Sequence, residues 1–213
     1  MIADELKARF KSAQDSMPEP LRVRLHRAIS WLRRAEREAD DPDARFIFLW
    51  IAFNAAYARL FGFEQPEREQ LRRFLADLVA IDGDKALHRA VFADFSGPLR
   101  TLIENRFVYE PFWKSLREHN ASDRWQAQFS ADHKAALRWL MEGRTDAVLA
   151  IVFDRLYVLR NQLIHGGATW GSGVNREQVR DGARILMALV PQIIALMIQR
   201  PEADWGEIAY PVV

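Results

Sequence analysis

The fold is decided by residues 145–167, which read TDAVLAIVFDRLYVLRNQLIHGG. Thr145 and Asp146 are residue types that begin helices, and the two glycines at the other end are typical of helix termination. Between them, apolar residues recur at the spacing of one helix face: Val148, Leu149, Val152, Leu156, Leu159 and Leu163. The stretch therefore predicts a long helix that buries one face and ends in the polar hexapeptide RNQLIH, residues 160–165.

The rest of the chain also has helical periodicity. Residues 20–39 carry an apolar stripe, residues 44–61 are apolar on every side and predict a central helix, and residues 175–199 predict a long final helix. Proline and glycine turns separate further helical segments between residues 64 and 143. We expect one all-α domain over residues 1–213, with about eight helices.

Composition excludes several kinds of site. The 213-residue chain has no cysteine, which excludes disulfides, thiol catalysis and zinc–thiolate centres. No spacing of histidines and carboxylates is typical of metal ligands, and the glycine-rich loop after residue 165 lacks the Lys-Ser/Thr of a P-loop. We therefore expect neither a metal nor a cofactor. The net charge of +1 leaves nucleic-acid binding to local patches.

The location follows from the apolar runs. The first ten residues are rich in charge, unlike a secretory signal. The longest apolar run, residues 46–57, has about a dozen residues, whereas a helix needs about 20 to cross a bilayer. We expect a cytoplasmic protein without a membrane partner.

The hexapeptide places three chemically useful side chains at a helix end. Asn161 and His165 are four residues apart, so they share a helix face at about 6 Å along the axis. A helix C-terminus favours a protonated imidazole, and histidine exchanges protons near neutral pH. The guanidinium of Arg160 offers a planar set of donors that suits phosphate oxygens. A histidine at this position is also a common helix cap, which is the simpler alternative.

These groups suit metal-independent cleavage of RNA. His165 would deprotonate a ribose 2′-hydroxyl, Arg160 would stabilise the charge on the phosphorane oxygens, and Asn161 would orient the histidine or the phosphate. The leaving 5′-oxygen needs a proton as well, but one hexapeptide supplies only one histidine. Two copies around a two-fold axis would supply the second, so the chemistry predicts a homodimer with a composite active site.

The hexapeptide resembles the Arg-Asn-x-x-x-His signature of the HEPN superfamily (higher eukaryotes and prokaryotes nucleotide-binding). Residues 49–57, LWIAFNAAY, are similar to the early core helix of bacterial stand-alone HEPN proteins. The resemblance covers residues 20–62 and 145–200, and it makes residues 64–143 a helical insertion. It implies an antiparallel helical bundle, usually a dimer, and often a metal-independent endoribonuclease in which Arg160 and His165 are catalytic and Asn161 assists.

The resemblance also implies a biological setting. Members of the superfamily act as toxins or in defence against phage, so an antitoxin or a defence-system protein is the implied partner. Toxins silenced by nucleotidyl transfer resemble an Arg-x-x-x-x-His-x-Tyr pattern, but Gly167 stands two residues after His165 in this chain. That difference puts this mode of silencing in doubt.

Further residues are candidate RNA contacts. Trp170 either stacks on a base or packs against the bundle. Arg106 and Lys114 belong to an aromatic stretch that core packing also explains, and Asn54 either ties helices together or takes part in the site. The arginines of the helix over residues 20–39 form either a solvated surface or a basic face for RNA; they are Arg22, Arg24, Arg27, Arg33, Arg34 and Arg37.

Two other functions stay open from the sequence. A non-catalytic HEPN module would bind nucleotide, RNA or a partner protein without turnover. A purely structural helical dimer would keep Arg160 and His165 away from any cleft.

Overall fold

The computed structural model describes residues 1–58, 67–94, 96–118, 124–171, 173, 176–208 and 210–211. Within them it has ten α-helices and no β-strand element, which confirms the all-α class. The helices are α1 (Ile2–Ala13), α2 (Glu19–Glu36), α3 (Pro42–Tyr57), α4 (Glu67–Ile81), α5 (Ala86–Arg89), α6 (Ser96–Glu104), α7 (Glu110–Arg117), α8 (Arg124–Met141), α9 (Thr145–Ile164) and α10 (Arg176–Gln199). This is two more than the expected eight, and the shortest helices are α5, α6 and α7.

Most helix positions agree with the periodicity of the sequence. The predicted stripe of α2 is buried at every position: Leu21, Leu25, Ala28, Leu32 and Ala35. α8 is continuous from Arg124 to Met141, although its first turns are largely polar. Two aromatic contacts hold these first turns, since Phe129 lies 5.1 Å from Tyr109 and Trp125 lies 5.1 Å from Phe112 between ring centroids. Tertiary packing therefore outweighs the local polar signal.

The centre of the bundle is an aromatic cluster on α3, which packs most extensively against α2 and α10. Phe53 of α3 contacts Phe153 of α9 with ring centroids 4.4 Å apart, and Trp50 of α3 lies 6.1 Å from Tyr157 of α9. Phe74 of α4 joins the same cluster at 6.3 Å from Phe53. The predicted insertion therefore shares one hydrophobic core with the helices on either side of it.

Gly182 allows α10 to approach α3 and α9 closely. A Cβ atom at this position would lie 2.9 Å from Phe46 Cε2 and 3.1 Å from Leu159 Cδ2. Contacts that short do not occur without a shift of the neighbouring side chains, so a hydrogen at this position is what lets the three helices pack.

α10 is also the helix that resembles a membrane span. It is long and apolar enough to cross a bilayer by length and composition alone, but 67% of its most apolar window is buried within the bundle. A helix in the core of a bundle is buried in this way, so length and composition are weak evidence that α10 crosses a membrane.

Arg24 corrects the expectation that the arginines of α2 lie on outer faces. Arg24 is 1% exposed, and its guanidinium donates to three backbone carbonyls. Nη1 reaches Ala56 O at 3.1 Å, and Nη2 reaches Gly206 O at 3.1 Å and Glu207 O at 3.0 Å. Arg24 therefore joins α2 to the end of α3 and to the C-terminal tail.

Replacing Arg24 should test this role. Arg24→Ala removes all three hydrogen bonds and leaves a void, so we expect the free energy of unfolding to fall by about 3 kcal/mol. Arg22→Ala, at an exposed position on the same helix, should change it by less than about 0.5 kcal/mol. Urea unfolding followed by circular dichroism measures both variants, and equal losses would contradict the structural role of Arg24.

Candidate functional site

The hexapeptide occupies the last turns of α9, and the glycines after it end the helix. His165 is the C-cap, and Gly166 has φ +68°, a left-handed conformation that favours glycine. Gly166 N donates to Leu163 O at 3.3 Å, and Gly167 N donates to Gln162 O at 2.7 Å. This pair of bonds is a Schellman motif. It stops the helix at His165, whose side chain is therefore presented to solvent.

Within the hexapeptide, Asn161 is bonded to Arg160. Arg160 Nη1 donates to Asn161 Oδ1 at 2.8 Å, and the guanidinium carbon lies 5.7 Å from the ring centroid of Tyr157. Both residues are half-buried, whereas His165 is exposed. Asn161 therefore orients the arginine in this structure, whereas the sequence led us to expect that it would orient the histidine or the phosphate.

Gln162 connects the hexapeptide to the predicted insertion. Its Nε2 donates to Phe107 O at 2.7 Å, and Trp113 Nε1 donates to the same oxygen at 2.7 Å. The Arg106 guanidinium carbon lies 5.0 Å from the ring centroid of Phe107. Gln162, a residue that the signature leaves unspecified, thus contacts the residue next to Arg106. No sequence pattern indicated this contact across 55 positions.

An open groove runs beside this contact. Its volume is about 590 Å³, and its walls come from the turn before α7, from α8 and from the start of α10. The lining residues are Glu104, Asn105, Arg106, Phe107, Trp125, Gln126, Phe129 and Gln178. Phe107 is 39% exposed. Exposed rings, an arginine and amides are the groups that bind unpaired bases and their backbone.

Among the described residues, no contact joins Lys114 or Asn54 to the hexapeptide. Lys114 is on α7, 65% of its side chain is exposed, and its Nζ lies 3.8 Å from Glu118 Oε1. Asn54 is half-buried on α3, one turn after Trp50. Both remain predictions from the sequence alone.

The loop after the hexapeptide is held against the start of α3. Trp170 Nε1 donates to Asp41 Oδ2 at 3.0 Å, and Gly171 N donates to Asp43 Oδ2 at 3.2 Å. Arg176 binds both oxygens of the buried Asp43, at 2.8 and 2.9 Å. The Trp170 residue is 79% exposed, so it does not pack into the bundle and its ring is open to solvent.

Asp41 caps α3 and anchors the loop with one carboxylate. Its Oδ1 accepts from Ala44 N at 3.0 Å. This backbone hydrogen bond, with smaller contributions from Trp170 and Arg176, lowers the pKa of Asp41 against the opposing effect of burial. No local sequence pattern indicates that Asp41 anchors the loop, because the tryptophan lies 129 positions away.

Comparison of the chain with protein-family models, with curated proteins and with solved structures finds no significant match. Among the residues that the structure describes, no group of three or more histidines and carboxylates could hold a metal ion. The fold defines an all-α helical bundle, and any functional assignment depends on the chemistry of the hexapeptide and its surroundings.

The double role of Asp41 predicts a pH-dependent loss of stability. Asp41→Ala should lower the free energy of unfolding by about 1–2 kcal/mol at pH 7, and it should speed amide exchange at Gly171. The pKa of Asp41 is lower in the folded chain than the unfolded value of about 3.9, so the stabilisation is complete above about pH 4 and is lost as the pH falls through the lowered pKa.

The control is Asp40→Ala, which changes an exposed neighbour. This variant should keep the wild-type stability and the slow exchange at Gly171 by hydrogen-exchange mass spectrometry. If Asp40→Ala and Asp41→Ala behave alike, Asp41 does not anchor the loop.

Proposed function

We propose that the protein is a metal-independent endoribonuclease of the HEPN type, with Arg160, Asn161 and His165 at its centre. The observation that carries the proposal is the geometry at the end of α9. A solvent-exposed histidine follows an arginine that a neighbouring amide already holds at 2.8 Å. Cleavage of a phosphodiester requires an available base and an oriented cation, and the end of α9 carries both.

The reaction needs two proton transfers. The imidazole of His165 takes the proton from a ribose 2′-hydroxyl, and the 2′-oxygen then forms a bond to the neighbouring phosphorus. The bond from phosphorus to the 5′-oxygen breaks, and that oxygen takes a proton from the imidazolium of His165 in a second copy of the chain. The products are a 2′,3′-cyclic phosphate and a 5′-hydroxyl, and Arg160 stabilises the intervening negative charge.

Exposed apolar surface at the end of α9 supports a second copy. Ile164 is 48% exposed and Trp170 is 79% exposed, and both lie close in sequence to the exposed His165. Large apolar side chains grouped around a candidate site are typical of surfaces that another chain covers. A two-fold axis at this place would set the two hexapeptides against each other and complete the proton relay.

The groove next to Gln162 supports RNA as the substrate. Phe107 and Trp125 offer rings on which bases stack, and Arg106 supplies a cation at the same edge. Unpaired RNA exposes its bases, whereas a duplex hides them, so the groove favours a single-stranded segment.

Within this proposal the protein acts in the cytoplasm as a toxin or an anti-phage effector. Its further partner is an antitoxin or another defence-system protein. Silencing by nucleotidyl transfer would need a tyrosine two residues after His165, but the chain has Gly167 at that position.

One observation favours a second function, a non-catalytic HEPN module that binds nucleotide, RNA or a partner protein. Arg160 and His165 are five residues apart, which places them about 140° apart around the helix. Arg160 is engaged by Asn161 and lies near Tyr157. In that function RNA or a nucleotide would bind without being cleaved.

Cleavage in the presence of EDTA separates the two functions. Wild-type protein should cut labelled single-stranded RNA and leave cyclic phosphate ends. His165→Ala and Arg160→Ala should each lower the rate by at least about 10²-fold, because a general base or a charge-stabilising group is lost. His26→Ala, which removes an exposed histidine on α2, should cut normally. Undiminished cleavage by the first two variants would exclude the proposed active site.

The groove can be tested by binding alone. In a His165→Ala background, which prevents cleavage, Phe107→Ala should weaken binding of a labelled single strand about tenfold through the loss of stacking. Lys134→Ala, at an exposed site on α8, should bind like its parent. Fluorescence anisotropy measures the affinities, and unchanged binding by Phe107→Ala would place the RNA elsewhere.

A further inference from the structure

A buried cation on α9 lacks a hydrogen-bonded anion. The Arg155 residue is 5% exposed, and its Nε has no hydrogen-bond partner among the described residues. Its guanidinium carbon lies 4.2 Å from the ring centroid of Tyr109 and 5.5 Å from that of Phe129. These rings cover the cation, but they accept no hydrogen bond of ordinary strength.

This arrangement differs from that of Arg24, the other buried arginine among the residues that the structure describes. Nη1 and Nη2 of Arg24 donate to three backbone carbonyls, and buried charges usually require such bonds. The acid that faces Arg155 is Asp132, whose Oδ2 already accepts from the Tyr109 hydroxyl at 2.7 Å. Burial lowers the pKa of Arg155, and the charges of Asp132 and Asp154 only oppose that effect. Arg155 therefore retains capacity for an oxyanion.

Arg155 lines a cavity large enough for a small molecule. The cavity has a volume of about 380 Å³ and lies between α4, α8, α9 and residues 108–111. Sites that enclose small ligands span about 300–1,000 Å³. Part of the wall is apolar and comes from Trp139, Ile151 and Val158. The space therefore combines an apolar surface with one buried cation.

The other charges that line this cavity already have partners. Arg72 Nη2 lies 2.6 Å from Asp154 Oδ2, and Arg68 Nη2 lies 3.8 Å from Glu110 Oε2. Because Asp132 is bonded to Tyr109, Arg155 is the charged lining group that has no hydrogen-bonded or ion-paired partner among the residues the structure describes. An entering anion would meet that cation without displacing an existing salt bridge.

We propose that this cavity is a binding site for a small acid with an apolar body, whose carboxylate or phosphate pairs with Arg155 while the body lies against Trp139 and Val158. The site is separate from the proposed RNA cleavage and does not depend on it. A free phosphate or a phosphate of RNA carries the same oxyanion but lacks the apolar body that the cavity wall favours, so inorganic phosphate provides a discriminating comparison.

The test is calorimetric titration of the full chain with benzoate, phenyl phosphate, neutral benzamide and inorganic phosphate. Benzoate and phenyl phosphate should bind at least about tenfold more tightly than benzamide, because only they form a charged hydrogen bond to Arg155. Phenyl phosphate should also bind more tightly than inorganic phosphate. Failure of both aromatic anions to bind at millimolar concentration would overturn the proposal, as would equal binding of benzamide or of inorganic phosphate.

Variants locate the site. Arg155→Met removes a buried charge without leaving a void and should weaken benzoate binding at least about tenfold. Ala135→Leu fills the cavity without touching the charge and should also block binding. Arg73→Met, at an exposed position on α4, should bind like wild type. If both cavity variants bind benzoate as wild type does, the site is not in this cavity.

Discussion

The packing of α3 against α2, α10 and α9 is the interaction on which the rest of the structure depends, and Phe53 meets Phe153 of α9 at 4.4 Å between ring centroids. It fixes α3 at the centre of the bundle, and residues at both ends of α3 bind neighbouring segments of the chain. At the C-terminal end, Ala56 O accepts from Arg24 and so connects the tail. At the N-terminal end, Asp41 and Asp43 hold the loop that follows the hexapeptide. The loop that follows His165 is thereby held against the start of α3.

Three charged side chains with little exposure to solvent are compensated in different ways within the bundle. Arg24 is satisfied by backbone carbonyls, and Asp43 by a two-pronged salt bridge with Arg176. Arg155 lies against the rings of Tyr109 and Phe129, and its Nε has no hydrogen-bond partner among the described residues. Because unpaired buried charge is costly, the first two arrangements stabilise the fold, whereas the third leaves room for an anion from outside. Hydrogen bonds, and not burial, distinguish the two structural charges from the one at which we propose that an anion binds.

Helical periodicity was enough to predict the all-α class and the buried stripe of α2. The two glycines after His165 were enough to predict where α9 ends, since Gly166 adopts the left-handed conformation that a Schellman motif needs. Residue type and local sequence pattern did not predict contacts between residues that are far apart in the chain. The burial of Arg24 depends on carbonyls up to 183 positions away, and Gln162 finds Phe107 only through the fold. The sequence named the residues of the candidate site, but it could not show which neighbours hold them.

The proposed two-fold arrangement of the hexapeptides can be tested directly, because the chain has no cysteine. A single cysteine at Ile164, which is 48% exposed, would be the sole thiol and would lie beside the proposed axis. With a short bis-maleimide, Ile164→Cys should give a covalent dimer in high yield. Met141→Cys, at a residue that is 81% exposed and lies beyond the other end of α9, should stay monomeric. A monomeric Ile164→Cys protein under the same conditions would contradict a shared active site.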